Sequence, residues 1–168
     1  MSKQHASILL ALSLISGCSV NGSYVDPKGD DVAKIRFVAK NSSATLDWYN
    51  GSTCEGKTTG ILNNKFLPDT KRRTHMKAPP NKDDNYLEIA VTPDEPVYLY
   101  LNTTGYTTVC SIPFSFVPQS QTEYEAHFEN KPGMCNLKVS KLTLKQGQVT
   151  KLPIKISKTL PSCTNSKQ

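Results

Sequence analysis

From Ala33 onward the chain alternates apolar and polar residues with a period of two, the repeat of a strand that buries one face. Ala33, Ile35, Phe37 and Ala39 alternate with Lys34, Arg36 and Lys40, and Leu46 and Trp48 alternate with Thr45, Asp47 and Tyr49. Leu87, Ile89 and Val91 resume the pattern. After the turn residues Thr92-Pro93-Asp94-Glu95-Pro96, Val97, Leu99 and Leu101 stand opposite Tyr98, Tyr100 and Asn102, which predicts a hairpin. Further strands are predicted near 107–116, 122–129, 134–144 and 149–156, with turns at Pro118-Gln119-Ser120, Lys131-Pro132-Gly133 and Gln146-Gly147. In this reading Tyr124, Ala126 and Phe128 face a core, while Glu123, Glu125, His127 and Glu129 face water. Pro113 and Pro153 cannot donate to a ladder, so their strands belong at edges or bulges. About eight short strands, with no 3.6-residue apolar period after residue 17, predict an all-β fold: an antiparallel, immunoglobulin-like β-sandwich.

The first residues break this pattern. Lys3 precedes the apolar run Ile8 to Ile15, too short to span a bilayer, and the small residues Ser16 and Gly17 precede Cys18. That layout predicts a cleaved signal peptide over residues 1–17. Residues 18–31 have the Gly, Ser, Pro and Asp content of a flexible tether, and residues 32–168 form the β-domain. Removing residues 1–17 from the 168 leaves 151, enough for one domain burying about 70% of its unfolded surface. With 37% hydrophobic and 20% charged residues, the composition is that of a folded body rather than a disordered chain. The net charge of +6 is spread over scattered lysines, apart from one cluster taken up below.

Export to an oxidising compartment changes how the cysteines read. Besides Cys18 there are Cys54, Cys110, Cys135 and Cys163, an even set that predicts two disulfides. Close Cys-x-x-Cys spacing is absent, so neither a metal site nor a cofactor is expected. Of three possible connectivities, an up-and-down path over eight strands gathers all four at one pole and favours Cys54 with Cys110 and Cys135 with Cys163.

Gly51-Ser52-Thr53-Cys54-Glu55-Gly56-Lys57-Thr58 matches the phosphate-loop spacing G-x-x-x-x-G-K-[ST]. That chemistry needs a helix whose first amides hold the phosphates, and Thr59-Gly60-Ile61-Leu62-Asn63-Asn64 is a poor helix start, so no nucleotide site is assigned. The run Lys71-Arg72-Arg73-Thr74-His75-Met76-Lys77 packs four cations into seven residues. Lys71, Arg72, Arg73 and Lys77 are thus candidates for meeting an acidic protein or an anionic envelope component; the plainer account is a solvated loop partly neutralised by Asp83, Asp84 and Glu88. Tyr98 and Tyr100, outward on their strand, are candidate partner contacts. Catalysis finds little footing. His5, His75 and His127 have no evident nucleophile partner, and neither Gly-x-Ser-x-Gly nor His-Glu-x-x-His is present, so no catalytic residue is assigned.

Ile15-Ser16-Gly17-Cys18 resembles the lipobox of bacterial lipoproteins. The resemblance implies that Cys18 carries the lipid and becomes the first mature residue. Two or three acyl chains would hold it firmly, each buried methylene adding about 0.8 kcal/mol. Ser19 stands where an aspartate would imply inner-membrane retention in the enterobacterial family, so the expected address is the outer membrane, with the body facing the periplasm. The block from Val32 to Cys54, with Cys110–Pro118, Thr122–Phe128 and Cys135-Asn136-Leu137, is similar to small uncharacterised Gram-negative envelope lipoproteins with a β-sandwich body. Only the lipobox is a specific motif, and no catalytic residue comes with it. The expected role is non-enzymatic, binding or supporting an envelope component, with membrane lipid as one partner and nucleic acid excluded by the address. The alternative is an immunity or inhibitor lipoprotein neutralising a toxin or lytic enzyme; a hydrolase with a dispersed site ranks below both.

Overall fold

The computed structural model describes residues 22–40, 42–103, 109–131 and 134–160, so Cys18 and Cys163 lie outside the described residues. Nine strands form: β1 (Ala33–Lys40), β2 (Ala44–Tyr49), β3 (Gly56–Leu62), β4 (Tyr86–Val91), β5 (Val97–Thr103), β6 (Cys110–Phe116), β7 (Glu123–Lys131), β8 (Met134–Lys145) and β9 (Gln148–Pro153). They build a β-sandwich from a four-stranded sheet, ordered β3-β2-β5-β6, and a five-stranded sheet, ordered β4-β1-β7-β8-β9. All pairs are antiparallel except β1 with β7.

The core follows from the alternation. On β5, Val97, Leu99, Leu101 and Thr103 are buried while the residues between them are half-exposed. Leu99 and Leu101 meet Ile35, Phe37, Leu87, Ile89, Ala126 and Phe128 from the facing sheet in one apolar cluster. The predicted hairpin after Val91 does not form: β4 and β5 belong to different sheets, and Thr92–Pro96 carries the chain across the sandwich. Its prolines suit such a crossover as well as a tight turn. The strand absent from the sequence reading is β3, whose burial pattern does not alternate. A bulge at Leu46/Asp47 leaves Thr59 without a partner on β2, and its hydroxyl donates to the Leu46 carbonyl at 2.7 Å.

Sheet edges are covered in ways that matter for the surface. Ser23 bridges Thr58 on the outer edge of β3, and Ser157 bridges Ser115 on the outer edge of β6. On the β4 edge, the Glu88 amide donates to the Arg72 carbonyl. The remaining edge, β9, carries Lys151 and Pro153, residues that discourage strand addition. Pro113 and Pro153 thus both lie on edge strands, as their chemistry requires.

Within the predicted tether, residues 18–31, the described part is joined to the fold from Gly22, whose carbonyl accepts the Thr58 amide. Tyr24 is buried, its ring lies 5.3 Å from that of Trp48 and its hydroxyl donates to the Ala90 carbonyl at 2.8 Å. Burial pushes its phenol pKa well above the ordinary value, so it stays a donor. One Asp26 oxygen accepts the Ala90 amide and the other pairs with Arg72 at 2.7 Å. Residues 23–26 therefore close the seam between β3 and β4, an outcome that Gly, Ser and Pro content could not reveal.

Candidate functional site

The excursion between β3 and β4, residues 63–85, crosses the outer face of the five-stranded sheet and carries the basic run. Two carboxylates fasten it. Glu88 on β4 accepts the amides of Thr74 at 2.9 Å and Met76 at 3.4 Å, and Glu123 on β7 accepts those of Lys77 and Ala78, the latter at 2.8 Å. Beneath this strap Arg36 is 1% exposed. It donates to Glu88 Oε1 from Nε at 3.2 Å and Nη2 at 2.9 Å, and from Nη2 to the Ala78 carbonyl at 2.6 Å. Glu125, 3% exposed, pairs with Lys151 and lies 3.9 Å from Arg36 Nη1. The expectation that Glu125 faces water is corrected: its strand face is outward from the core, but the strap and its charged partners exclude solvent.

The four cations proposed as a partner patch separate into two kinds. Arg72 donates to the Tyr24 carbonyl at 2.8 Å, pairs with Asp26 and lies over the Tyr24 ring. Arg73 stacks on the Tyr86 ring at 3.8 Å, a cation–π contact between two half-buried side chains. Lys71 and Lys77 are exposed, as is His75. Neutralisation thus comes from Asp26 at Arg72 alone among these contacts, Arg73 keeping its charge over a tyrosine ring, while Glu88 is committed to Arg36 and the strap amides.

Tyr98 and Tyr100 lie half-buried on the outer face of the other sheet, where Tyr49 opposes Tyr98 and Asp47 opposes Tyr100. The Tyr49 and Tyr100 rings meet edge to face, 6.0 Å between centroids. Two glycines of the phosphate-loop look-alike explain this layout. A Cβ on Gly51 would sit 2.8 Å from Tyr98 Cε2, and one on Gly56 would sit 3.1 Å from Tyr49 Cε1, so the rings rest where these residues lack a side chain. Thr58 of the same motif bridges Ser23 and hydrogen-bonds Asp47. The segment continues as strand β3, not as the helix a phosphate site needs.

Asp47 is the residue sequence reasoning passed over. It is 8% exposed, and its Oδ1 has no hydrogen-bond partner among the described residues. Burial raises its pKa, opposed by hydrogen bonds from Thr58 and Asn102. The signal was available: an acid alternating with Trp48 and Tyr49 in a strand whose neighbours offer only hydroxyls and amides.

Apolar side chains are exposed at both ends of the sandwich, Val117 and Leu144 toward the end where β6 and β8 stop. At the end where β1 stops and β2 begins, Phe66 is 92% exposed, Leu67 53%, Val109 74% and Met134 57%. Phe66 and Leu67 are held out by a stiff turn in which Asn64 Oδ1 accepts both their amides, at 2.8 and 2.9 Å. Asn63 Nδ2 ties that turn to the Ala39 and Ser42 carbonyls. The same end holds the disulfide Cys110–Cys135, which links β6 to β8 and so joins the two sheets, with Cα atoms 6.0 Å apart. This overturns the favoured pairing of Cys54 with Cys110 and of Cys135 with Cys163. Cys54, also disulfide-bonded, follows β2 at the other end. Among the described residues no three His, Cys, Asp or Glu side chains converge as a metal site.

No protein-family model matches this sequence, and comparison with curated proteins finds no significant relative.

Proposed function

We propose that this chain is a lipid-anchored envelope protein with a non-enzymatic binding or structural role, held at the outer membrane through Cys18. The observation that carries the reading is where the chain enters the fold. Residues 19–21 alone separate Cys18 from Gly22, whose carbonyl already accepts the Thr58 amide on β3. Four residues reach at most about 14 Å. A lipid on Cys18 therefore keeps the β3 side and the Tyr49 end of the sandwich near the bilayer, and the end bearing Phe66, Leu67, Val109 and Met134 is the more distant one. Apolar side chains displayed on a rigid turn away from the anchor suit contact with a protein partner, since little ordering cost remains.

A second reading, inhibition of a toxin or lytic enzyme, is favoured by the same turn. A pre-organised loop projecting Phe66 and Leu67 has the form of a cleft-filling element. The arginines Arg72 and Arg73 contribute less to such a role, because both are engaged within the fold.

Metabolic labelling with a palmitate analogue tests the anchor: the chain should label and Cys18→Ser should not, and absence of label in both refutes it. Crosslinking from position 66 in intact envelopes then tests the binding end. A stoichiometric adduct lost in Phe66→Asp supports this assignment, and an inhibited enzyme as the adduct selects the second reading. An adduct pattern indifferent to Phe66→Asp removes that end from the proposal.

A further inference from the structure

We propose that the outer face of β2 and β5 around Asp47 is a binding site for a neutral glycan chain. The first observation is the carboxylate itself. Asp47 is more than nine-tenths buried, and although Thr58 and Asn102 hydrogen-bond its carboxylate, Oδ1 has no partner among the described residues, where native proteins normally supply a donor. The second is the setting. Tyr49, Tyr98 and Tyr100 present half-buried rings around it, two of them seated over Gly51 and Gly56. Aromatic faces beside convergent hydroxyl, amide and carboxylate groups match a pyranose, which offers C–H faces to rings and hydroxyl donors to acceptors.

Charge selects among ligand classes. The outward positions of β2, β5 and β6 are Thr45, Asp47, Tyr49, Tyr98, Tyr100, Asn102, Ser111, Pro113 and Ser115, with one acid and no base. A buried carboxylate with no cation beside it repels an anionic polymer. A polycation meets a chain of net charge +6, which opposes its approach. A neutral, hydroxyl-rich chain avoids both penalties and brings the missing donor. Asp47 Oδ1 is screened from solvent without ligand, so the donor reaches it as the neighbouring tyrosines turn. Half-exposed rings make such rotamer changes readily. The Gly51 loop bounds this face at one end, where the Tyr98 ring rests against it.

The site is distinct from the Phe66 end and does not depend on lipid at Cys18. The test is calorimetric titration of the purified chain, disulfides intact, with three neutral hexasaccharides: of N-acetylglucosamine, of β-1,4-glucose and of α-1,4-glucose. Saturable binding of at least one is expected, weakened about tenfold by Tyr100→Ala and by Asp47→Asn, and unchanged by Phe66→Asp. Asp47→Asn guards against a folding artefact, because removing a buried unmatched charge should raise the unfolding midpoint while binding falls. No saturable binding at millimolar sugar overturns the proposal. So does sugar binding indifferent to Tyr100→Ala and Asp47→Asn, or tight binding of oligolysine at this face without sugar binding.

Discussion

Replacing Arg36 by methionine removes one guanidinium and strands several groups at once. Glu88 loses two donors at 2.9 and 3.2 Å, the Ala78 carbonyl loses its 2.6 Å donor, and two carboxylates only 2–3% exposed lose the cation between them. Breaking a buried pair from one side costs about 3–5 kcal/mol. The lower end applies here, since Glu125 keeps Lys151 and Glu88 keeps the Thr74 and Met76 amides. With a urea dependence of about 2 kcal/mol per molar, the midpoint should fall by about 1.5 M at neutral pH. Added salt should change the loss little, because the pair is screened from solvent ions. The Arg36→Met, Glu88→Gln double variant should cost less than the two singles combined, by about 1–3 kcal/mol, because it no longer leaves an unpaired buried charge at Glu88. A midpoint shift under about 0.5 M for Arg36→Met, or strict additivity in the cycle, would refute the account of the strap as fastened through this network.

Three further outcomes follow from particular contacts. Replacing Cys110 and Cys135 together by serine opens a link of sequence separation 25, and chain entropy puts the loss near about 3.5 kcal/mol, readable as a lowered urea midpoint; an unchanged midpoint would show that the denatured chain gains no freedom. Gly60→Ala drives a Cβ to 2.8 Å from both Leu87 Cδ2 and Thr70 Cβ, so overpacking should cost about 1–3 kcal/mol in thermal or urea unfolding, and a neutral result would mean that the strap at Thr70 yields freely. Asp47→Asn should stabilise the chain by about 1 kcal/mol at pH 7. Burial raises this carboxyl's folded pKa, so the wild type is penalised above that pKa and recovers as pH falls through it, and the gain should vanish in acid; a gain that persists in acid contradicts the assignment.

How far the sequence could be read turned on one weak strand. β5 and β7 alternate cleanly and were placed to within a residue or two. By contrast β3 holds two glycines, a bulge and an edge position, and its buried residues do not alternate. Omitting one strand from an up-and-down path inverts the direction of every later strand relative to β2. That inversion brought Cys54 to the same pole as Cys110 and Cys135, when β2 in fact ends opposite the starts of β6 and β8. The second gap was long-range. Alternation assigns Arg36, Glu88 and Glu125 to an outward face, but whether that face meets water depends on where residues 63–85 lie, and no local pattern encodes it. Asp26 and Tyr24 belong to the same class, since a Gly-Ser-Pro segment reads as tether until its partners Ala90 and Arg72 are known.

Among the described residues each outer face keeps one buried polar atom without a hydrogen-bond partner, Arg36 Nη1 on the five-stranded sheet and Asp47 Oδ1 on the four-stranded one, but the two differ in what surrounds them. On the five-stranded sheet, Glu88, Glu123 and Glu125 meet the Arg36 guanidinium of β1, the Lys151 ammonium of β9 or backbone amides of the strap. That pairing of the carboxylates fixes one arrangement of strap on sheet, and Arg36 Nη1 lies beneath the strap with the Glu125 carboxylate 3.9 Å away. On the four-stranded sheet the only outward acid of β2, β5 and β6 keeps an unmet acceptor although Thr58 and Asn102 already hydrogen-bond its carboxylate, and no cation stands at any outward position of these strands. Stability alone gives no reason to keep a carboxylate there. A group that costs folding energy and is ringed by tyrosines seated over glycines is better explained by what it contacts when something else is bound.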